Sequence, residues 1–336
     1  LGSYLACVKK ILAAYPSLLI LTAMNKCLIC YQTLDNTTVD FHSKCAKKVF
    51  GSTEAPILDF ELDQLDDLAK QFLFQRKSVT GVQPKISLNI EKVQQATARL
   101  TLVGLHGDYI LKPPSDYFEA LPENEDLTMH LAALVKIKTA QHALIRLKSG
   151  ELAYLTKRFD RDKKNKLAVE DFCQLSENLT EHKYRGSVEK IGKLTQTFTT
   201  NKGYEAQRLF ELVLFCFLTG NADMHLKNYS IIENTLGGFD LSPAYDLVNT
   251  NIVMPEDQEE SALTINARKS KLKRLDFDLL ATSFKLNEKA LQSIYQRFEN
   301  SLDPWLHFVN QSFLPKHLKT AYSDLLKARH VRIFGE

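Results

Sequence analysis

Residues 220–230 read GNADMHLKNYS, directly after the apolar run LFELVLFCFLT (209–219), and residues 244–250 read AYDLVNT. A buried helix needs only a short turn to end, and Thr219, Gly220 and Asn221 would suffice. Here the turn runs on into Asp223, His225, Lys227 and Asn228, with an Asp and an Asn five residues apart. So dense a set of ionisable groups behind a buried helix asks for a chemical explanation.

Phosphoryl transfer supplies one. It needs a carboxylate to take the proton of the acceptor hydroxyl, oxygen ligands for Mg2+, and a cation for the nucleotide phosphates. Protein kinases place the base Asp five residues before a metal-binding Asn, with a second metal-binding Asp one strand further on. Asp223 and Asn228 have that spacing, and YSIIE (229–233) with GGFDLSPAYD (237–246) forms a hairpin that delivers Asp246. Taken singly, Asp223 and Asp246 read as helix caps and Asn228 as a turn residue. Taken together, in this order, they read as a catalytic loop and a metal loop. His225 and Lys227 either contact phosphate or support the loop.

The first half offers matching parts. Lys112 ends the strand-like DYILKPP (108–114). A lysine in that position is ordinarily solvated, but one facing a cleft can pair nucleotide phosphates, steadied by an acid on the following helix. Glu125 is the preferred acid, with Glu123 the alternative. KSVTGVQPK (77–85) is a candidate phosphate loop with two hydroxyls, Ser78 and Thr80, between Lys77 and Lys85. Its single Gly81 is a weak signal, because phosphate loops usually carry several glycines.

Around these residues the pattern changes character along the chain. Helical spacing is expected over 62–75 and 122–137, and strands over 84–90, 98–104, 108–114, 144–148 and 152–160. The interval Gly104–Gly107 reads as a hairpin turn. Beyond that, helices are expected over 168–178, 203–219, 276–284, 286–300 and 304–330. This predicts an α+β, two-lobed, protein-kinase-like fold. The strand-rich lobe spans 51–162, the helical lobe 163–336, and a cleft lies between them.

The bulk properties agree with a globular protein. The 336 residues are 44% apolar and 25% charged, and a net charge of +3 makes no case for nucleic acid or membrane. The basic runs RDKKNK (161–166) and ARKSKLKR (267–274) read as solvated loops. Residues 1–23 are expected to be a non-native or upstream leader ahead of Met24, in preference to a signal-peptide core or a packed partner-like segment. Residues 24–50 hold CLIC (27–30) and HSKC (42–45), so that Cys27, Cys30, His42 and Cys45 offer three thiolates and an imidazole, a set that suits tetrahedral zinc. The bland alternative is a reduced, metal-free knuckle, and Cys173 and Cys216 read as buried apolar residues. A disulfide framework is not expected in a chain of this size with six cysteines.

SVTGVQPK (78–85), YILKPP (109–114), LPENEDLTMHLA (121–132), KRFDR (157–161), VEDFCQL (169–175), GNADMHLKNYS (220–230) and LSPAYDL (241–247) occur in the order seen in HipA-type serine/threonine kinases. The chain resembles that family over about residues 24–330, most closely its short HipT branch. The resemblance implies Asp223 as catalytic base and Asn228 and Asp246 as Mg2+ ligands. Lys112 would bind the ATP phosphates, helped by Lys85 and the loop amides of Val79, Thr80 and Gly81, with His225 also among the ATP-contacting residues. Lys157 and Phe159 would lie at the adenine-binding hinge, and Ser78 would be autophosphorylated. Two departures stand out: Thr80 replaces the second loop serine, which opens Thr80 as an alternative phosphate site, and Lys157 replaces an acidic hinge residue. The resemblance further implies a cytoplasmic toxin of a toxin–antitoxin set, acting on an aminoacyl-tRNA synthetase. Its partners would be a HipB-like DNA-binding antitoxin and a small HipS-like protein, with no direct nucleic-acid contact and no membrane required. The competing readings are a small-molecule phosphotransferase of the aminoglycoside or choline kinase type, and a catalytically inert scaffold with a zinc knuckle.

Overall fold

The computed structural model describes residues 25–36, 38–65, 84–93, 96–103, 107–162 and 165–335. The leader 1–23, the loop residues Ser78, Val79, Thr80 and Gly81, and most of the helix expected over 62–75 lie outside them. The chain divides into two compact units, Leu1–Ala55 and Pro56–Glu336.

In the first unit a bridge between Lys26 and Thr33 closes a tight loop around Cys27 and Cys30. Helix α1 (Ser43–Phe50) follows and ends at Gly51, whose φ of 76° is left-handed. The second unit opens with five antiparallel strands, β1 (Ile86–Glu91), β2 (Arg99–Leu102), β3 (Tyr109–Lys112), β4 (His142–Arg146) and β5 (Leu152–Lys157), in the order β2-β1-β3-β5-β4. This order corrects one expectation. The segment through Gly107 is no hairpin turn, because β2 and β3 flank β1 on opposite sides: Leu88 pairs with both Leu102 and Tyr109. Gly107, just ahead of β3, lies against the backbone of β1, where a Cβ on it would stand 2.7 Å from the Leu88 backbone N and O. Only glycine permits that approach.

Helix α2 (Leu121–Leu134) sits between β3 and β4 in sequence and packs on β4 and β5. It buries Asn124, Glu125, Asp126 and Thr128 along with its apolar residues. Each polar group has a partner there, as buried polar groups must. Asn124 donates to Asn249 O at 3.0 Å and accepts from Asn249 N at 2.9 Å. Thr128 Oγ1 meets the Tyr322 hydroxyl at 2.9 Å, and His142 Nδ1 lies 2.6 Å from Asp126 Oδ1.

The rest is mainly helical. After the small β6 (Arg161–Asp162) and β7 (Asn165–Lys166) comes β8 (Val169–Asp171), then α3 (Phe172–Leu175). The helix expected over 168–178 is thus a strand and one short turn of helix. Val169–Asp171 pairs with β9 (Ser230–Glu233), and Asp171 caps α3 through a reciprocal box with Gln174. Helix α4 (Val188–Phe198), capped by Ser187, falls outside the expected helices although Val188, Ile191 and Thr195 mark its buried face. Helix α5 (Lys202–Leu218) buries nearly its whole circumference from Leu209 to Leu218, as a helix apolar all round should. Strand β10 (Phe239–Leu241), α6 (Thr250–Val253), α7 (Arg274–Ser283) and α8 (Glu288–Glu299) complete the surround, with α9 (Leu302–Gln311) and α10 (Lys316–Phe334). The single helix expected over 304–330 is these last two, broken where Pro315 starts α10. Trp305 of α9 packs edge-on against Phe215 and Phe298, and its Nε1 donates to Leu131 O, joining the helical lobe to α2. Among the described residues no helix is long and apolar enough to cross a membrane.

Burial opposes the charge of Asp126, but His130 and His142 more than offset it and hold its carboxyl well below the ordinary value. A depressed carboxylate stabilises the fold above its unfolded value, and that contribution disappears as the pH falls. Asp126→Asn should therefore lower unfolding stability by about 3 kcal/mol at pH 7. In urea titrations the gap to the parent should narrow steadily once the pH drops below 3.8.

Candidate active site

Strand β3 alternates Tyr109 and Leu111 into the core, which by simple alternation would turn Lys112 outward, yet Lys112 is only 4% exposed. Two carboxylates account for it. Lys112 Nζ donates to Glu125 Oε1 and Oε2 at 2.6 and 2.7 Å, and also to Asp246 Oδ1. The other oxygen of Asp246 accepts from Lys85 Nζ at 3.1 Å. Of the two acids considered for the lysine, the geometry selects Glu125. Burial holds Glu123 protonated up to about 7, without a bond to Lys112.

The charges respond in opposite senses. Burial would lower the Lys112 value, but Asp246 and Glu125 reverse that and raise it. Burial would raise Asp246, but Lys112 and Lys85 hold it far below the usual carboxylate range. Glu125 is pushed up to about 7, because burial and the repulsion of Asp246 outweigh Lys112. Asp246 has a φ of 59°, a left-handed conformation that Asp tolerates better than most residues.

A cavity of about 320 Å3 opens beside this triad, in the size range of small-ligand sites. Lys85, Lys112, Lys157, Phe159, Tyr245 and Asp246 are among its walls. The rings of Phe159 and Tyr245 lie 5.5 Å apart. Arg158, Val169 and Tyr245, which lie inside the motifs KRFDR, VEDFCQL and LSPAYDL without having been assigned a side-chain role, also line it, as does Tyr154, which carried no signal of a site in the sequence.

Asp223, His225 and Asn228 are not in that lining. They stand on the loop between α5 and β9, which folds on itself through short bonds. His225 N and Asn228 Nδ2 both donate to Asp223 O, at 2.8 and 2.9 Å. The Tyr184 hydroxyl donates to Asp223 Oδ1 at 2.7 Å. His225 is buried, its Nδ1 finds no hydrogen-bond partner among the described residues, and burial lowers its proton affinity. Lys227 turns away to Asp171, 2.8 Å distant, and its carbonyl accepts from the Tyr245 hydroxyl, adjacent to Asp246. Tyr184 carries no signal in the sequence, while Lys227, expected either to contact phosphate or to support the loop, bonds to Asp171. Asp246 and Asn228 each offer a side-chain oxygen, the donor type that suits Mg2+, a hard cation that takes oxygen ligands and keeps several waters.

In the first unit, Cys30 Sγ and Cys45 Sγ lie 3.4 and 4.0 Å from His42 Nδ1, and His42 Nε2 lies 3.1 Å from Thr33 O. The ligand atoms of Cys27, Cys30, His42 and Cys45 all fall within 4.8 Å of one another. Tetrahedral zinc, with bonds of about 2.0–2.3 Å, fits such a group. A bond from Nε2–H to Thr33 O would leave Nδ1 free as the ligand atom.

Comparison with known proteins fits this geometry. The family model of the HipA-like C-terminal domain matches residues 77–305, and the chain belongs to that family. The Sinorhizobium fredii protein Y4dM is 32% identical over 228 residues, covering 64% of this chain and 55% of its own length. The serine/threonine-protein kinase toxin HipA of Shewanella oneidensis is 30% identical over 205 residues, covering 55% of this chain and 45% of the toxin. The chain thus spans about half the length of the curated relatives it matches. Among solved structures, the Shewanella oneidensis complex of HipA, HipB and operator DNA superposes with a TM-score of 0.63 at 24% identity, over 77% of this chain and 65% of that one. The α+β, two-lobed fold is accordingly kinase-like.

Removing one partner of a buried ion pair strands the other. Lys112→Met should cost about 3 kcal/mol of stability, and the double variant Lys112→Met/Glu125→Gln should recover more than half of it. Urea unfolding of the four members of the cycle measures the coupling, and strictly additive losses would contradict the pairing.

Proposed function

We propose that this member of the HipA-like family transfers the γ-phosphoryl group of ATP to a serine or threonine of a protein. The observation that carries the reading is the convergence of Lys112 on both Glu125 and Asp246. That is the arrangement a kinase needs to hold nucleotide phosphates beside a metal ligand. Lys112 and Lys85 bind the phosphates, and an ATP phosphate takes the place of a carboxylate in their coordination. Phe159 and the backbone around Lys157 hold the adenine in the cavity, aided by Tyr245. Asp223 accepts the proton of the acceptor hydroxyl as its oxygen bonds to the γ-phosphorus. The bond to the β–γ bridging oxygen breaks and ADP leaves. Asn228 and Asp246 would hold Mg2+, which would supply positive charge to the phosphate oxygens.

On this reading the chain is the toxin of a toxin–antitoxin pair. Its antitoxin is a HipB-like protein, a HipS-like small protein is a second partner, and the target is an aminoacyl-tRNA synthetase whose phosphorylation stops tRNA charging. What supports the HipB-like partner is the family and the partner named in the Shewanella complex. The target and the HipS-like protein rest on the resemblance to the short branch. Ser78, with Thr80 as the alternative, is the autophosphorylation site. A phosphate there adds nearly two negative charges to the loop that must approach ATP, which favours its expulsion. In the first unit, Cys27, Cys30, His42 and Cys45 hold a structural zinc.

Incubation with ATP and Mg2+ followed by mass spectrometry should find phosphate on Ser78 or Thr80. Asp223→Asn should lower transfer by at least about a thousandfold and abolish growth arrest while nucleotide still binds. Transfer confined to a small-molecule alcohol or amine would instead identify a phosphotransferase of the aminoglycoside type. Elemental analysis of the purified chain should give one zinc per molecule, lost on Cys30→Ser; a metal-free chain with intact thiols would refute the zinc.

A further inference from the structure

Tyr184 stands where a kinase should not leave an idle hydroxyl. Its O–H donates to Asp223 Oδ1 at 2.7 Å, and its ring meets His225 edge-on with centroids 5.1 Å apart. The residue as a whole is 43% exposed. Its hydroxyl lies on the carboxylate proposed as the base. Burial and the Asp223 carboxylate both raise the Tyr184 value, so the group remains an O–H donor.

The backbone around it is pinned. Leu226 N donates to Lys183 O at 3.0 Å, which ties this segment to the catalytic loop. Arg185 N bonds to His182 O at 2.8 Å, and Val188 N to Thr264 O at 2.9 Å. A tyrosine on so fixed a backbone can leave Asp223 by changing rotamer, without moving the chain. Such a change in an exposed side chain takes picoseconds to nanoseconds, far faster than turnover.

We propose that Tyr184 is an acceptor gate: its hydroxyl holds the hydrogen-bond position on Asp223 that a serine or threonine hydroxyl must take, and rotation about its Cα–Cβ bond opens that position. The gate rests on the reading of Asp223 as the base. Its consequence is selective. An acceptor serine, presented by a docked protein, displaces the phenol. Water alone competes poorly, so ATP is spared from hydrolysis while no protein acceptor is bound.

Steady-state ATP hydrolysis by the full chain with Mg2+ tests this, because water is then the acceptor. It gives its proton to Asp223, bonds to the γ-phosphorus, and the β–γ bridge breaks to release ADP and phosphate. Tyr184→Phe keeps the ring contact with His225 and removes only the hydroxyl. It should raise the hydrolysis kcat roughly tenfold, the worth of a hydrogen bond to a charged group, with KM for ATP unchanged. Hydrolysis should be lost in Asp223→Asn and in Tyr184→Phe/Asp223→Asn alike. An unchanged kcat would overturn the gate, as would turnover undetectable in both parent and Tyr184→Phe. A fall in kcat would overturn it too, by showing that the phenol positions Asp223. Hydrolysis that survives Asp223→Asn would overturn the assignment of the base itself, a failure distinct from that of the gate.

Discussion

The ammonium of Lys112, almost wholly buried between two carboxylates, is the constraint on which the second unit turns. An isolated buried cation is too costly to keep, so a fold that buries Lys112 must bring anions to it. It does so from 13 residues away on α2 and from 134 residues away beyond β10. Three elements remote in sequence therefore share one point. The wall of the cavity follows from that meeting, because Tyr154 faces Lys112 across the β3–β5 pairing and Lys85 reaches the same Asp246. The balance of charge is also what would make the site responsive. On the proposed function, a phosphate-bearing ligand would relieve Lys112 and Lys85 of a carboxylate that they now neutralise, leaving Asp246 available to a metal ion.

Asp246 is delivered to that point by a framework fixed from α5. Glu205 and Arg208, on its first two turns, pair at 2.6 Å. Glu205 accepts from Leu241 N, while Arg208 donates to Leu241 O and Ser242 O at 2.8 and 3.2 Å. Two backbone bonds then join Ala244 to the segment after α2: Ala140 N to Ala244 O, and Ala244 N to Lys138 O. The left-handed turn at Asp246 thus follows directly on a segment held by both sets of bonds. The far end of α5 carries Asp223, so one buried helix positions the proposed base at its C-terminal side and the proposed metal loop from its N-terminal side. Helix α2 is polar where it meets these parts, with Asn124 bridging to Asn249 and Asp126 to two histidines, because its inner face must carry Glu125 without stranding any other donor.

The amino-acid sequence by itself determined the strand-rich and helix-rich halves, the long apolar helix and the chemical candidates beside it. Periodicity and residue type report which side of an element is buried and what chemistry its side chains can do. It misplaced elements where a long-range partner outweighed local preference. Val169–Asp171 became a strand because β9 was there to pair with it, and β2 and β3 form no hairpin because each pairs with a different edge of β1. Only the tertiary structure chose Glu125 over Glu123, placed Asp246 on Lys112, and put the Tyr184 hydroxyl on Asp223. Those are contacts between groups tens to more than a hundred residues apart, or between neighbours on different faces of one helix. Their occurrence depends on which charges the folded chain can afford to bury together, and no local pattern encodes that.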